Sequence, residues 1–113
     1  MIEARGLLAI RRLKKKTTVE LLWPYFLKLL KKRPMYGYEL RQEVIEQFGW
    51  KPATVTSYLV LYRLQRGGYV TIEWREQRGK PARKYYKITR KGEDLLEEGI
   101  TYLKEFSSKL LGK

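Results

Sequence analysis

The sequence predicts a mainly α-helical, single-domain protein with a two-stranded β ribbon late in the chain. Three observations predict it. Apolar residues recur at helical spacing from Leu21 to Leu64 and again from Leu95 to Leu110. Between those stretches, residues 69–76 and 84–89 alternate apolar and polar side chains instead. A chain of 113 residues also suffices for one hydrophobic core, with little spare for an enclosed catalytic cleft. The chain divides into a basic extension over residues 1–16, a body over 17–92 and a terminal helix over 93–113.

In the extension, an apolar patch at Gly6–Ile10 precedes Arg11, Arg12, Lys14, Lys15 and Lys16. Two readings stay open: a flexible basic arm, or a partly ordered extension whose Leu7, Leu8 and Ile10 pack on a partner subunit. Next, Thr17 and Glu20 have the spacing of a capping box, opening a helix with Leu21, Leu22, Phe26, Leu29 and Leu30 on one face. Pro24 removes a helical donor, so the helix either kinks there or has its main part starting at Trp23-Pro24.

Pro34 separates that helix from the next, in which Tyr38, Leu40, Val44, Ile45 and Phe48 form an apolar face ending at Gly49. A further helix over Lys51–Arg66 opens with Pro52, whose fixed φ suits a first helical turn, and stops at Gly67-Gly68. It has apolar residues on two adjoining faces: Ser57, Val60, Leu61 and Leu64 on one, Val55, Tyr58, Leu59 and Tyr62 on the other.

Residues Tyr69–Glu76 and Lys84–Thr89 form the ribbon, joined by a basic turn with Gly79 and Pro81. Trp74, Tyr86 and Ile88 are expected to pack inward, with Arg75, Arg78, Lys80, Arg83, Lys84 and Lys87 at or near the tip. Thr89 then caps a last helix.

Net charge is +13, and its distribution carries the information: +8 over residues 1–34, +1 over 35–68, +6 over 69–92 and −2 over 93–113. Clustered Lys and Arg release condensed counterions on meeting phosphates, so a polyanion is the expected partner. The chain has neither cysteine nor histidine, which excludes disulfides, thiolate or imidazole metal sites and His- or Cys-dependent nucleophiles. Its carboxylates follow helix surfaces and no acid–base pair stands out, so no enzyme, metal or cofactor is expected. The apolar run Gly6–Ile10 is too short for a signal-peptide core and no stretch approaches a membrane span, which gives the expectation of a cytoplasmic protein.

Helix, helix, hairpin and helix is the order of a winged helix-turn-helix, and here a specific likeness enters. Pro34-Met-Tyr-Gly-Tyr-Glu-Leu40, Thr56-Ser-Tyr58, Arg63-Leu64, Gly68-Tyr-Val70, Trp74, Gly79, Arg83-Lys-Tyr-Tyr-Lys-Ile-Thr89 and Gly92 stand in the order found in the PadR family of transcriptional regulators. The chain resembles that family over residues 19–106, in its short form. The resemblance implies a sequence-specific DNA-binding regulator, a repressor acting as a homodimer on a palindromic operator in double-stranded DNA.

It further implies that Ser57, Val60, Leu61 and Leu64 meet the core, leaving Thr54, Thr56, Tyr58, Tyr62 and Arg63 to face a major groove. Arg78, Lys80, Arg83 and Lys84 of the wing would hold phosphates. Leu96, Ile100, Leu103, Phe106 and Leu110 would form the dimer interface, since the last helix pairs subunits in the family. Some members bind a small aromatic or lipophilic effector between subunits; Trp23 and Trp50 are candidates to line such a site, with ordinary core packing the stronger reading for both. The alternative to a regulator is a sequence-nonspecific architectural DNA-binding protein, for which the basic extension and the scarcity of guanidinium groups on the helix over 51–66 speak.

Overall fold

The computed structural model describes residues 4–113, with side chains from Gly6 onward. The order is α1 (Ala4–Thr17), α2 (Trp23–Leu30), β1 (Met35–Tyr36), α3 (Gly37–Phe48), α4 (Thr54–Arg66), β2 (Val70–Gln77), β3 (Lys80–Ile88) and α5 (Arg90–Leu110). The core is built from Phe26, Leu27, Leu29 and Leu30 of α2, Leu40 and Val44 of α3, Leu61 and Leu64 of α4, and Leu96 of α5. Met35, Val70 and Tyr86 close it from the sheet. The winged helix-turn-helix expected from the sequence is present, with α3 as support helix and α4 as the helix that follows the turn.

Several local expectations change. The N-terminal extension is no flexible arm over its described part: residues 4–17 are helical, and every residue from Leu7 to Thr17 is exposed. Thr17 does not cap the next helix but ends this one, its hydroxyl donating to the Leu13 carbonyl at 2.9 Å. The apparent capping box fails because α2 begins only at Trp23, with Pro24 in its first turn where a missing N–H costs nothing. Pro24 therefore starts the helix and does not kink it.

On α3, Tyr38 and Phe48 are 55% and 40% exposed and do not join the core; only Leu40 and Val44 of the expected face are buried. Both sit in terminal turns at the edge of the core, Phe48 meeting Tyr25 of α2 edge-on with ring centres 4.9 Å apart and Tyr38 stacking on Tyr36 at 6.5 Å.

The sheet has order β1-β3-β2, all antiparallel. Its third strand, β1, was not expected: two residues between Pro34 and Gly37 are too few to show a period, yet they pair Met35 with Tyr86 and Tyr36 with Tyr85. Strand β3 also begins at Lys80 and not at Lys84, because a bulge between Arg75 and Gln77 of β2 accommodates Pro81 and Ala82. Gly79, at φ 69°, closes the turn.

The hairpin's far end is latched to α5. Thr89 accepts from the Gly92 N–H at 3.1 Å as N-cap, and its hydroxyl donates to the Gly68 carbonyl at 2.7 Å. The Lys91 ammonium donates to the Gly67 carbonyl at 2.7 Å. Overall extents are 57 × 29 × 21 Å, elongated because α1 and all residues from Ile100 onward lie exposed.

Candidate nucleic-acid interface

The residues of α4 partition as helical geometry requires. Ser57, Leu61 and Leu64 are buried, and the Ser57 hydroxyl is satisfied within the helix by donating to the Ala53 carbonyl at 2.6 Å. The Arg41 guanidinium of α3 donates to the Pro52 carbonyl at 3.4 Å from both Nε and Nη2, tying the start of α4 to the support helix.

Thr54, Thr56, Tyr58, Tyr62 and Arg63 are all exposed, so α4 brings together the five positions singled out from the sequence. Val55, at 81% exposure, and Leu59 share this surface. An isolated valine exposed on a helix near its N-terminus is the sort of apolar contact that meets a thymine methyl.

Tyr58 is half packed and half open. Its ring lies over Gly37, where a β-carbon would stand 2.5 Å from ring atom Cε1. What approaches Gly37 is thus a side chain of α4. On the wing, burial pushes the Tyr86 phenol above its ordinary pKa of 10.0, and Tyr58 adds to the shift.

On the wing, Arg78 and Lys80 are exposed at the turn. Arg83 and Lys84 are neighbours in sequence and so point to opposite faces of the ribbon. Arg83 lies with its guanidinium 4.5 Å from the centre of the Tyr36 ring. On that face Arg75 stacks 4.0 Å from Tyr85, Tyr36 meets Tyr85 edge-on at 5.4 Å, and Tyr36 stacks on Tyr38 of α3 at 6.5 Å. This ladder of rings and guanidinium groups runs from the support helix to the middle of the wing. On the other face, Lys84 sits 5.7 Å from Tyr86 and 6.0 Å from Trp74.

Trp74 is a correction. It lies on the inward face as expected, in line with Val70 and Ile72, yet it is 63% exposed because the hairpin extends past the helices at that point.

Electrostatics favour a polyanion at this surface. Among the described residues, the ion pairs are Lys16–Glu20, Arg33–Glu39, Arg75–Glu73 and Arg90–Asp94. Arg63, Arg66, Arg78, Lys80, Arg83 and Lys84 belong to none of them, so these six cations of α4 and the wing carry no internal counter-charge, whereas Arg75 of the wing is paired with Glu73. No group of acidic residues that could hold a metal occurs among the described residues.

The terminal helix departs from expectation at one position. Leu96 is 3% exposed within its own chain and belongs to the core, whereas Ile100, Leu103, Phe106 and Leu110 are 40%, 44%, 48% and 74% exposed. Beside this stripe, Pro24, Tyr25, Phe48, Leu96, Ile100 and Leu103 line a groove of about 400 Å³. Tyr25 donates to the Thr17 carbonyl at 2.7 Å. Burial raises its phenol pKa, against a lowering contribution from the Trp50 indole N–H, which lies near without reaching hydrogen-bonding geometry. Trp23 and Trp50 themselves pack on the core and do not line this groove.

Comparison with known proteins agrees with this architecture. The model of the transcriptional regulator PadR-like family matches residues 26–98. A PadR-like transcription factor from Bacteroides fragilis superposes with a TM-score of 0.76 at 31% identity, covering 89% of this chain and 97% of that one. A PadR-like transcriptional regulator from Bacillus cereus gives 0.69 at 25% identity, covering 88% and 94%. Bacillus subtilis PadR, solved in complex with operator DNA, gives 0.66 at 27% identity over 71% of this chain and 46% of that longer one. No match was found among curated proteins.

Proposed function

The chain belongs to the transcriptional regulator PadR-like family, and from that premise we propose that it is a cytoplasmic, sequence-specific DNA-binding repressor acting as a homodimer on a palindromic operator. As a PadR-like transcriptional regulator it is a DNA-binding protein and not an enzyme. In this reading residues 17–92 form the DNA-binding body, α4 enters a major groove with Thr54, Thr56, Tyr58, Tyr62 and Arg63, and Arg78, Lys80, Arg83 and Lys84 hold flanking phosphates. Repression follows from occupying an operator that overlaps a promoter.

The observation that carries the reading is the set of unpaired cations on α4 and the wing, outside every ion pair among the described residues. The DNA-bound state of Bacillus subtilis PadR supports it.

Homodimer formation is supported by the apolar stripe of α5. It is also supported by α1, where Leu7, Ile10 and Leu13 are 52%, 40% and 54% exposed beside a basic flank. The flank of α5 is acidic, with Glu93, Asp94, Glu97, Glu98 and Glu105. Basic and acidic amphipathic helices of two copies complement each other, so α1 and the terminal helix over residues 93–113 form the pairing elements. The apolar groove beside Tyr25 and Leu103 suits a small aromatic or lipophilic effector.

The test is a fluorescence-anisotropy titration against DNA from upstream of the protein's own gene and against scrambled DNA, over a salt series. A repressor of its own gene prefers the upstream duplex by about 10³ or more. Equal affinities that fall together with salt would favour the sequence-nonspecific architectural alternative, for which the sparse guanidinium groups on α4 speak.

A further inference from the structure

We propose that Trp74 is a DNA-contact residue, its indole lying against the sugar–phosphate wall of the groove that flanks the one entered by α4, with Lys84 beside it on a phosphate. This deepens the DNA-binding reading above and rests on it.

The argument starts from placement. Val70, Ile72 and Trp74 occupy successive inward positions of β2, opposite Ile88, Tyr86 and Lys84 of β3. Exposure grows along this row: Val70 is buried, Ile72 half-buried and Trp74 63% exposed. The row therefore begins as core and ends as surface, on the same face of the ribbon. In the middle of the row, opposite Ile72, stands Tyr86, which is buried and closes the core from the sheet. Tyr86, Lys84 and Trp74 thus make a continuous strip from the core out along the wing, with Lys84 5.7 Å from the Tyr86 ring and 6.0 Å from the Trp74 ring.

An indole is a costly group to leave in water without a partner. A second copy's wing is a poor occupant, because each wing segment over residues 69–92 carries +6. A DNA backbone fits the chemistry: deoxyribose rings offer apolar surface between phosphates, the indole N–H donates, and Lys84, in no ion pair among the described residues, supplies the counter-charge. The acid neighbouring Trp74, Glu73, points to the opposite face and is engaged by Arg75 at 3.0 Å.

The test uses duplexes selected by the wild-type chain from a random pool, in a long form and in a form cut back to the half-sites without flanks. Trp74→Ala should bind the long duplex about tenfold or more weakly, the cost typical of losing an aromatic contact to nucleic acid, and bind the short duplex like wild type. Trp74→Phe should fall between. Acrylamide quenching gives a readout independent of affinity: Trp23 and Trp50 are partly buried, so quenching comes chiefly from Trp74 and should drop when the long duplex is added. Unchanged melting of Trp74→Ala is expected, given the residue's exposure.

Equal loss on both duplexes, or unprotected quenching in the complex, would overturn the proposal while leaving the DNA-binding reading standing. A shift of oligomeric state with intact DNA affinity would overturn it in favour of a protein contact. Failure of the wild type to select any duplex would remove the reading itself.

Discussion

Gly92 leaves no room for a methyl group: a β-carbon there would stand 2.2 Å from the Tyr69 carbonyl oxygen and 2.8 Å from Ile88. The nearest collision is with backbone that also accepts the Thr89 N–H at 3.1 Å, so moving the Ile88 side chain alone would not relieve it. Gly92→Ala should lower stability by about 2 kcal/mol or more in a denaturant melt, the range of an overpacked core. Gly37 is the instructive contrast. There the obstacle is the half-exposed ring of Tyr58, which can swing outward. Gly37→Ala should melt within about 1 kcal/mol of wild type yet bind DNA about tenfold more weakly, because it moves a residue of the proposed reading surface.

The buried phenol of Tyr86 gives a pH prediction. Its folded pKa is raised above 10.0 mainly by burial, so the neutral form is favoured in the folded chain. That contribution is complete below pH 10.0 and is lost as pH climbs toward and past the folded value. Tyr86→Phe should therefore flatten the alkaline fall in stability, and ultraviolet titration should show one fewer late-ionising tyrosine. Neither glycine's partner was legible in the sequence, since both depend on which remote residue arrives at that point of the fold.

At the scale of elements, the parts that the sequence made legible are those with a period or a cap. The helix over Thr54–Arg66 was readable from spacing, as was the Thr89 cap of α5, whereas which of the helix's two apolar faces is buried came only from the family resemblance. Replacing Thr89 by Ala removes both the cap bond and the bond to Gly68, and should cost about 1–2 kcal/mol, largely restored by Ser.

What spacing could not show was where an element's neighbours stop. Trp74 was assigned to the right face and Leu96 to the right stripe. Yet one extends beyond the helices and the other is covered by them.

The ladder through Tyr38, Tyr36, Tyr85 and the two arginines has the same origin, since it depends on a two-residue strand without a pattern of its own. Cation–aromatic stacking contributes about 0.5–1 kcal/mol at exposed sites. In the proposed DNA-binding reading it aims Arg83. Tyr36→Leu and Arg83→Ala should each weaken DNA binding several-fold, and the double variant should lose less than the sum, as a double-mutant cycle would read out.

For the whole molecule, elongation and exposed apolar helices at both ends of the chain agree with a subunit built to be half of something larger. The sequence suggested the stripe on α5; that α1 is an amphipathic helix with a stripe of its own became visible only in the structure. Leu103→Lys should yield a monomer by light scattering with an unchanged core, and weaken binding to a palindrome on the order of a hundredfold, since linked sites gain from effective concentration.

The most direct test of the central claim is a hydroxyl-radical footprint of the wild-type chain on a duplex it has selected. A homodimer presenting two copies of α4 to one face of DNA should protect two symmetric patches with centres about 34 Å apart, one helical turn, with weaker protection outside them where the wings reach. Continuous protection without symmetry or periodic spacing would contradict the account and leave a basic protein that coats DNA.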